Sequence, residues 1–525
     1  MMCERYYLGI CFVSQSAAIQ APIFGFSEFI SALALLAIIY TVTDIQYKFR
    51  IAIAPCNLVH LTYYLTVIIG FGTLLTDIWM REQWLVPLSF ISQSIWQGLL
   101  GGLFLSLALT WIYYAAIKPP VFSGKNYRKY AQELFKLILK GSESELPVIA
   151  AELARSAEPL VSLSRQDSPK WQNNTKTKEE GKKRNSDAGD YAHDVLLLIG
   201  NRKLCRHIIA SSPGTAIAFF NAIAKTGKYG VPIGQFAKNI STEAINSKDS
   251  ILYHEDEGYD SGLIGYLKPF SKTIYGNYQL VEALGSNHGS PLDIHYEAVW
   301  AWDASQLEAY SRAVLITLKS YLDSGSWGQH SFVLYRALEN IKSSSLREVY
   351  KINDIPSDYY STDIYKRFTV AVSFVRDAIK SIEQHNSPAP AKLRVRERKD
   401  WDFYDHIAEL MFEIIFSAAS VKAPPDKCWG IQHNAVWGKF FGLSGNGKSW
   451  KIVKFKLRRL LYDEILRMGG FPNYKSFRIL GFCLNVMGLK TGKRSEINRD
   501  YTPLHSTSQS SSFMDQGQLF AFAGY

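Results

Sequence analysis

The sequence predicts a helical membrane protein: three N-terminal transmembrane helices followed by a predominantly α-helical cytoplasmic domain. Three observations carry this. Three long, nearly uncharged apolar segments fill residues 22–117. Beyond them, apolar residues recur at helical three-and-four spacing, with little strand-like alternation. Lys and Arg collect in the first connection and after the third segment.

Residues 1–21 place Glu4 beside Arg5 and lack the basic start of a secretory signal, so the first span is expected to be retained. Residues 6–20 are too polar for a fourth span and are expected at the surface. The spans are read at 22–43, 58–79 and 84–117. A helix needs about 20 apolar residues to cross a hydrocarbon core of about 30 Å. Trp79, Trp84, Trp111, Tyr113 and Tyr114 lie toward span ends, where amphipathic rings favour the headgroup layer. Gly70, Gly72, Gly101 and Gly102 permit close helix contact.

Orientation follows from the basic residues near the span ends. Lys48 and Arg50 mark the first connection as cytoplasmic, whereas the short second connection, 80–83, has Arg81 offset by Glu82. Lys118, Lys125, Arg128, Lys129, Lys136 and Lys140 follow the third span. The N-terminus is therefore expected outside and everything after residue 117 inside.

Residues 118–164 read as membrane-proximal amphipathic helices, with Pro147 near a helix start and Pro159 near its end. Residues 165–190 lose almost all apolar content and read as a disordered linker. A helical domain is expected over 191–384, with breaks at Gly200 and Pro213. A proline-bearing break at 384–393 precedes a helical C-terminal subdomain over 393–505. A polar tail occupies 506–525.

The chain carries a net charge of +11. Residues 1–117 hold four Lys/Arg against five Asp/Glu, which leaves 54 against 42 in the remainder. The surplus is diffuse except at 393–399 and in KIVKFKLRR, 451–459. A basic domain beside an anionic inner leaflet is attracted to it, and nucleic acid is the other partner such a surface suits. The six cysteines form no CxxC pair, so zinc ribbons and fingers are unsupported.

Residues 442–449, GLSGNGKS, match the phosphate-loop pattern. Gly442 and Gly447 would let backbone amides wrap phosphates, Lys448 would reach the outer phosphates, and Ser449 would bind magnesium. The context opposes this. No buried strand is expected before the loop, and too few residues follow for a parallel sheet, so a glycine turn between two helices is expected. His254, Glu255, Asp256 and Glu257 offer close-spaced metal ligands but lack EF-hand order, and an acidic surface loop is the simpler reading. Asp402, Asp405, Glu409 and Glu413 share one helical face opposite Phe403, Ile407, Leu410 and Ile414, which predicts acids in water. Within the membrane part, Glu28, Asp77, Gln93 and Gln97 fall at one depth, near the outer ends of the spans. They read either as headgroup-level residues or as an intramembrane polar cluster facing protein or water.

These patterns support a non-enzymatic membrane protein, with no cofactor. Its cytoplasmic helical domain would sense or bind an unidentified ligand or protein. Its spans would anchor it in the bilayer, self-associate, and perturb the membrane or conduct ions. The alternatives are a membrane-tethered enzyme acting on nucleotides or phosphoesters, and a membrane-anchored nucleic-acid-binding protein.

Overall fold

Continuous apolar runs and amphipathic runs alternate along this chain, and each makes a different kind of helix. A computed structural model describes residues 5–7, 10–13, 24–42, 44–82, 86–87, 93–165, 187–255, 269–287, 289–356, 358–395, 397, 401–422, 424–442, 447–467 and 474–486. The chain divides into two units: Met1–Arg165 with Glu180–Val195, and Leu196–Tyr525 with Gln166–Glu179.

In the first unit, β1 (Arg5–Tyr7) and β2 (Ile10–Val13) pair antiparallel, and β2 pairs with β3 (Val86–Pro87). The helices follow in the order α1 (Phe26–Val42), α2 (Ile45–Ala52), α3 (Leu58–Arg81), α4 (Gln93–Ile112), α5 (Tyr127–Lys140), α6 (Leu146–Leu163) and α7 (Asp187–Leu198). A π-helical turn, Tyr113–Ile117, continues α4. Two stretches, Leu58–Trp79 and Ile95–Ile117, are long and apolar enough to cross a membrane. The apolar part of α1, Phe26–Ile38, is shorter.

Four expectations need correction here. The third helix starts at Gln93 rather than at Trp84. Pro87 lacks an amide hydrogen and sits in β3, so the second connection is longer than 80–83 and holds a strand. Residues 5–7 and 10–13, expected only to lie at the surface, form the hairpin that pairs with it. The linker ends earlier than residue 190, because α7 begins at Asp187; residues 166–186 lie outside the described residues.

Phe29, Ile69 and Leu100, one from each of α1, α3 and α4, form the apolar centre among these helices. Glycine makes it possible: a Cβ on Gly70 would lie 2.8 Å from the Phe29 ring, and one on Gly72 3.1 Å from Leu100. Around this centre the helices turn apolar side chains outward. Val67, Ile68 and Phe71 of α3 are 52%, 58% and 67% exposed.

The second unit continues through α8 (Arg202–Ser211), α9 (Gly214–Thr226), α10 (Gly234–Asn246), α11 (Ile251–His254), α12 (Pro269–Tyr275), α13 (Tyr278–Asn287), α14 (Tyr296–Ala301) and α15 (Ala304–Asp323). Then come α16 (Phe332–Leu346), α17 (Asp363–Gln384), α18 (Phe403–Ala418), α19 (Pro425–Trp429), α20 (Gly438–Phe441), α21 (Lys448–Leu466) and α22 (Tyr474–Val486). Here apolar side chains point inward. In α17, Phe368, Ala371, Val375, Ala378, Ile379 and Ile382 are fully buried, at the three-and-four spacing read from the sequence. The pair α15 and α17 and the pair α18 and α21 form its central packing. α8 and α9 together are apolar enough for a bent span, but α8 carries Arg202, Lys203 and Arg206 and buries only one face, as a globular helix does. Asp303 with Gln306, and Asp402 with Asp405, close reciprocal capping boxes at the starts of α15 and α18.

Candidate functional site

The first amides of a helix have no acceptor within it. α1 meets that need with two carboxylates. Gly25 N–H donates to Glu28 Oε2 (2.9 Å) and Phe26 N–H to Asp77 Oδ2 (2.9 Å). A Cβ on Gly25 would lie 3.0 Å from Glu28 Oε2 and 3.4 Å from both Asp77 oxygens, so the two carboxylates border one point. The positive end of the helix dipole favours them there. Asp77 thereby ties the last turn of α3 to the first of α1. Gln97 is buried one turn into α4, and the side chain of Gln93 lies outside the described residues.

At the opposite end of these helices lies a denser polar junction, built around Arg50 of α2. Its guanidinium grips Glu152 of α6 through two bonds, Nε to Oε2 (3.0 Å) and Nη2 to Oε1 (2.6 Å). Its remaining Nη1 donates to the carbonyl of Ala115 (2.6 Å), within the π-helical turn. Gln46 adds a bond to Glu152 Oε1 (2.5 Å). Both charged side chains are buried. Burial pushes the Glu152 carboxyl up, but the bonds from Arg50 and Gln46 outweigh it and hold it below its ordinary value.

Asn126, just before α5, donates to the carbonyl of Ile53 (2.8 Å), and Lys129 to that of Ala54 (3.3 Å). Tyr130 stacks edge-on against Phe49 and Phe122. On the facing helices, Trp111 Nε1 donates to Thr62 Oγ1 (2.7 Å). The first connection, the end of α4, α5 and α6 are therefore held as one body by paired polar groups and a shared aromatic core. Arg50, read from the sequence only as a marker of the side the first connection faces, is 5% exposed and neutralised by Glu152, leaving Lys48 as the exposed cation there.

The other candidate residues lie in the second unit. Gly442 follows the helical turn of α20 rather than a strand, and residues 443–446 lie outside the described residues. Gly447 caps α21, Lys448 is its first residue, and Ser449 is fully buried, bonding to Ser387 Oγ (2.8 Å). The Glu383 carboxylate sits against Gly447 and accepts from Trp450 N–H at 3.5 Å. An anion of the protein's own already occupies the helix terminus where a phosphate would sit.

His254 is exposed, whereas Glu255 is buried and accepts from the Phe270 and Ser271 amides (2.7 and 3.0 Å) and the Ser271 hydroxyl. Both Glu255 oxygens thus serve the start of α12. Asp256 and Glu257 lie outside the described residues. Among the described residues, no cluster of three or more His, Cys, Asp or Glu is arranged to hold a metal ion.

The acids of α18 are a correction. Asp402 and Asp405 are buried rather than in water. Lys456 of α21 reaches both Asp405 oxygens at 2.8 Å, Asp402 at 3.7 Å and the Lys392 carbonyl at 2.7 Å. Glu413 pairs with Lys475 at 2.8 Å. Burial pushes the Asp405 carboxyl up to about 6; the neighbouring Asp402 adds to the rise and Lys456 opposes it.

Sequence reasoning missed Glu152, Asn126 and Lys456. A signal existed for two of them. Glu152 falls on the apolar face of α6 with Ile149, Leu153 and Leu160, and Lys456 on that of α21 with Val453 and Leu457. A charge on a buried face implies a partner.

No known protein family, curated protein or solved structure matches this chain. The chemistry of its own residues is what a functional reading rests on.

Proposed function

We propose that this chain is a multi-pass membrane protein whose helical part after residue 117 lies in the cytoplasm and binds or senses a partner. One observation carries the membrane reading. α3 and α4 meet the length and apolarity of a span, and they turn large apolar side chains outward along their whole length. A stripe that includes Ile68 (58%), Phe71 (67%), Leu105 (59%) and Leu109 (55%) far exceeds the scattered apolar residues a water-facing helix tolerates. Lipid is the solvent that covers it. α1 is proposed as the third span, supported by its packing through Phe29. The inward side is proposed from the basic residues after residue 117.

The spans are proposed to self-associate, with Glu28 and Asp77 facing protein or water. A three-helix chain has little interior of its own for two carboxylates, and ion conduction through such an assembly belongs to this proposal. No nucleotide or phosphoester chemistry is proposed, because Glu383 holds the α21 terminus. The test is cysteine labelling of a site introduced beside Glu82 in a chain whose Cys3, Cys11 and Cys56 are replaced by Ser. Labelling by an impermeant reagent in intact cells is expected. Labelling only after lysis would reverse the orientation, and release of the chain by alkaline carbonate would end the membrane reading.

A further inference from the structure

α21 buries Val453, Leu457 and Leu461 and turns a different face outward. Phe455, Tyr462 and Leu466, 39%, 42% and 56% exposed, fall seven and four residues apart on one line along it. Basic residues flank that ridge on both sides: Lys451, Lys454 and Arg458 on one, Arg459 and Arg467 on the other, with Lys448 at its start. Asp463, 3.7 Å from Arg459, is the acid exposed among them; the buried Glu464 accepts from Ser476 Oγ (2.9 Å) and from Arg467 Nη1 (3.4 Å).

An exposed apolar ridge between basic rows has a distinct physical preference. Long basic side chains reach headgroup phosphates while the ridge enters the acyl boundary. Single-stranded nucleic acid would match the charge and the rings, but Leu466, the most exposed member of the ridge, has no ring to stack on a base. The positive charges also crowd one another. Burial pushes the Lys454 ammonium down, with Arg458 adding to it, and an anionic surface relieves that crowding.

We infer that the outer face of α21 docks on an anionic lipid surface, with Phe455, Tyr462 and Leu466 entering the interface between the basic rows. This rests on the membrane reading above, since anchoring by the spans would hold the face at high effective concentration beside the leaflet.

The test uses the full chain in lipid nanodiscs, with Cys3, Cys11 and Cys56 replaced by Ser and an environment-sensitive fluorophore on Leu466→Cys. A blue shift is expected in phosphatidylcholine discs containing phosphatidylserine and not in pure phosphatidylcholine. It is expected to vanish when Lys451, Arg458 and Arg459 are changed to Glu, while circular dichroism and disc incorporation stay as before. Equal emission in both discs, or a shift indifferent to the three reversals, overturns the inference. So does a shift in neutral discs produced by added oligonucleotide, which would assign the face to nucleic acid. A chain that elutes apart from the discs fails at a different step: it removes the membrane reading, and this inference with it.

Discussion

α3 and α17 are helices of similar length and opposite construction. α3 is apolar around its whole circumference, and its Phe71 is 67% exposed. α17 alternates apolar and polar stripes, and its Phe374 is 2% exposed. The same side chain is external in one and core in the other. The first arrangement is stable only where the surroundings are as apolar as the side chain, the second only where water drives burial. The two helices follow two packing rules, and the contrast can be probed residue by residue.

The largest expected effects come from two buried-charge junctions, Arg50 with Glu152 in the first unit and Lys456 with Asp402 and Asp405 in the second. Arg50→Ala strands Glu152, and Lys456→Met strands Asp402 and Asp405. Each should lower stability by about 3–5 kcal/mol, measured by thermal unfolding of the detergent-solubilised chain. Replacing both members of the first pair, Arg50→Met with Glu152→Leu, should recover most of the loss. If it does not, the junction contributes more than charge neutralisation, and its bonds to Ala115 and Gln46 are the next to change.

The matched phenylalanines come next. Phe374→Ala should cost about 3–5 kcal/mol through the cavity it leaves. Phe71→Ala, in the same assay, should stay within about 0.5 kcal/mol, as for a side chain outside any packed core. A loss at Phe71 comparable to that at Phe374 would mean that another protein surface covers it, which is the outcome self-association predicts.

Gly70→Val tests the close approach of α1 and α3. Its new side chain would meet the Phe29 ring, and overpacking of this kind costs about 1–3 kcal/mol. The same substitution at Gly102, where nothing lies within 4 Å of a Cβ, should cost much less.

The last effects concern pH, and the two buried acids should differ in sign. Glu152 is held below its ordinary 4.5, so its contribution is present above that value and is lost as the pH falls beneath it. Asp405 titrates near 6 in the fold against an ordinary 3.8, so the folded state holds an extra proton between these values. Stability from that group therefore falls as the pH rises from 3.8 to about 6. Thermal midpoints across this range should lose the second trend in Asp405→Asn and keep it in Glu152→Gln. The difference has a structural origin. Glu152 has a guanidinium to itself, while Asp405 shares one ammonium with Asp402.

The sequence by itself determined the helical character, the apolar segments and the helix breaks at Gly200 and Pro213. α8 starts at Arg202, just past Gly200, and α9 starts directly after Pro213. These are local properties: periodicity, caps and prolines act within a few residues of one another. The candidate residues were legible only as residue types. That Asp77 reaches the start of α1, that Glu383 occupies the terminus beside Gly447, and that Glu255 serves α12 depended on chain folding that spacing does not encode. Arg50 and Glu152 are 102 residues apart, and Asp405 and Lys456 are 51 apart. Only the tertiary structure decided which charge meets which, because a buried charge takes its partner from whatever the packing of distant helices brings within bonding distance.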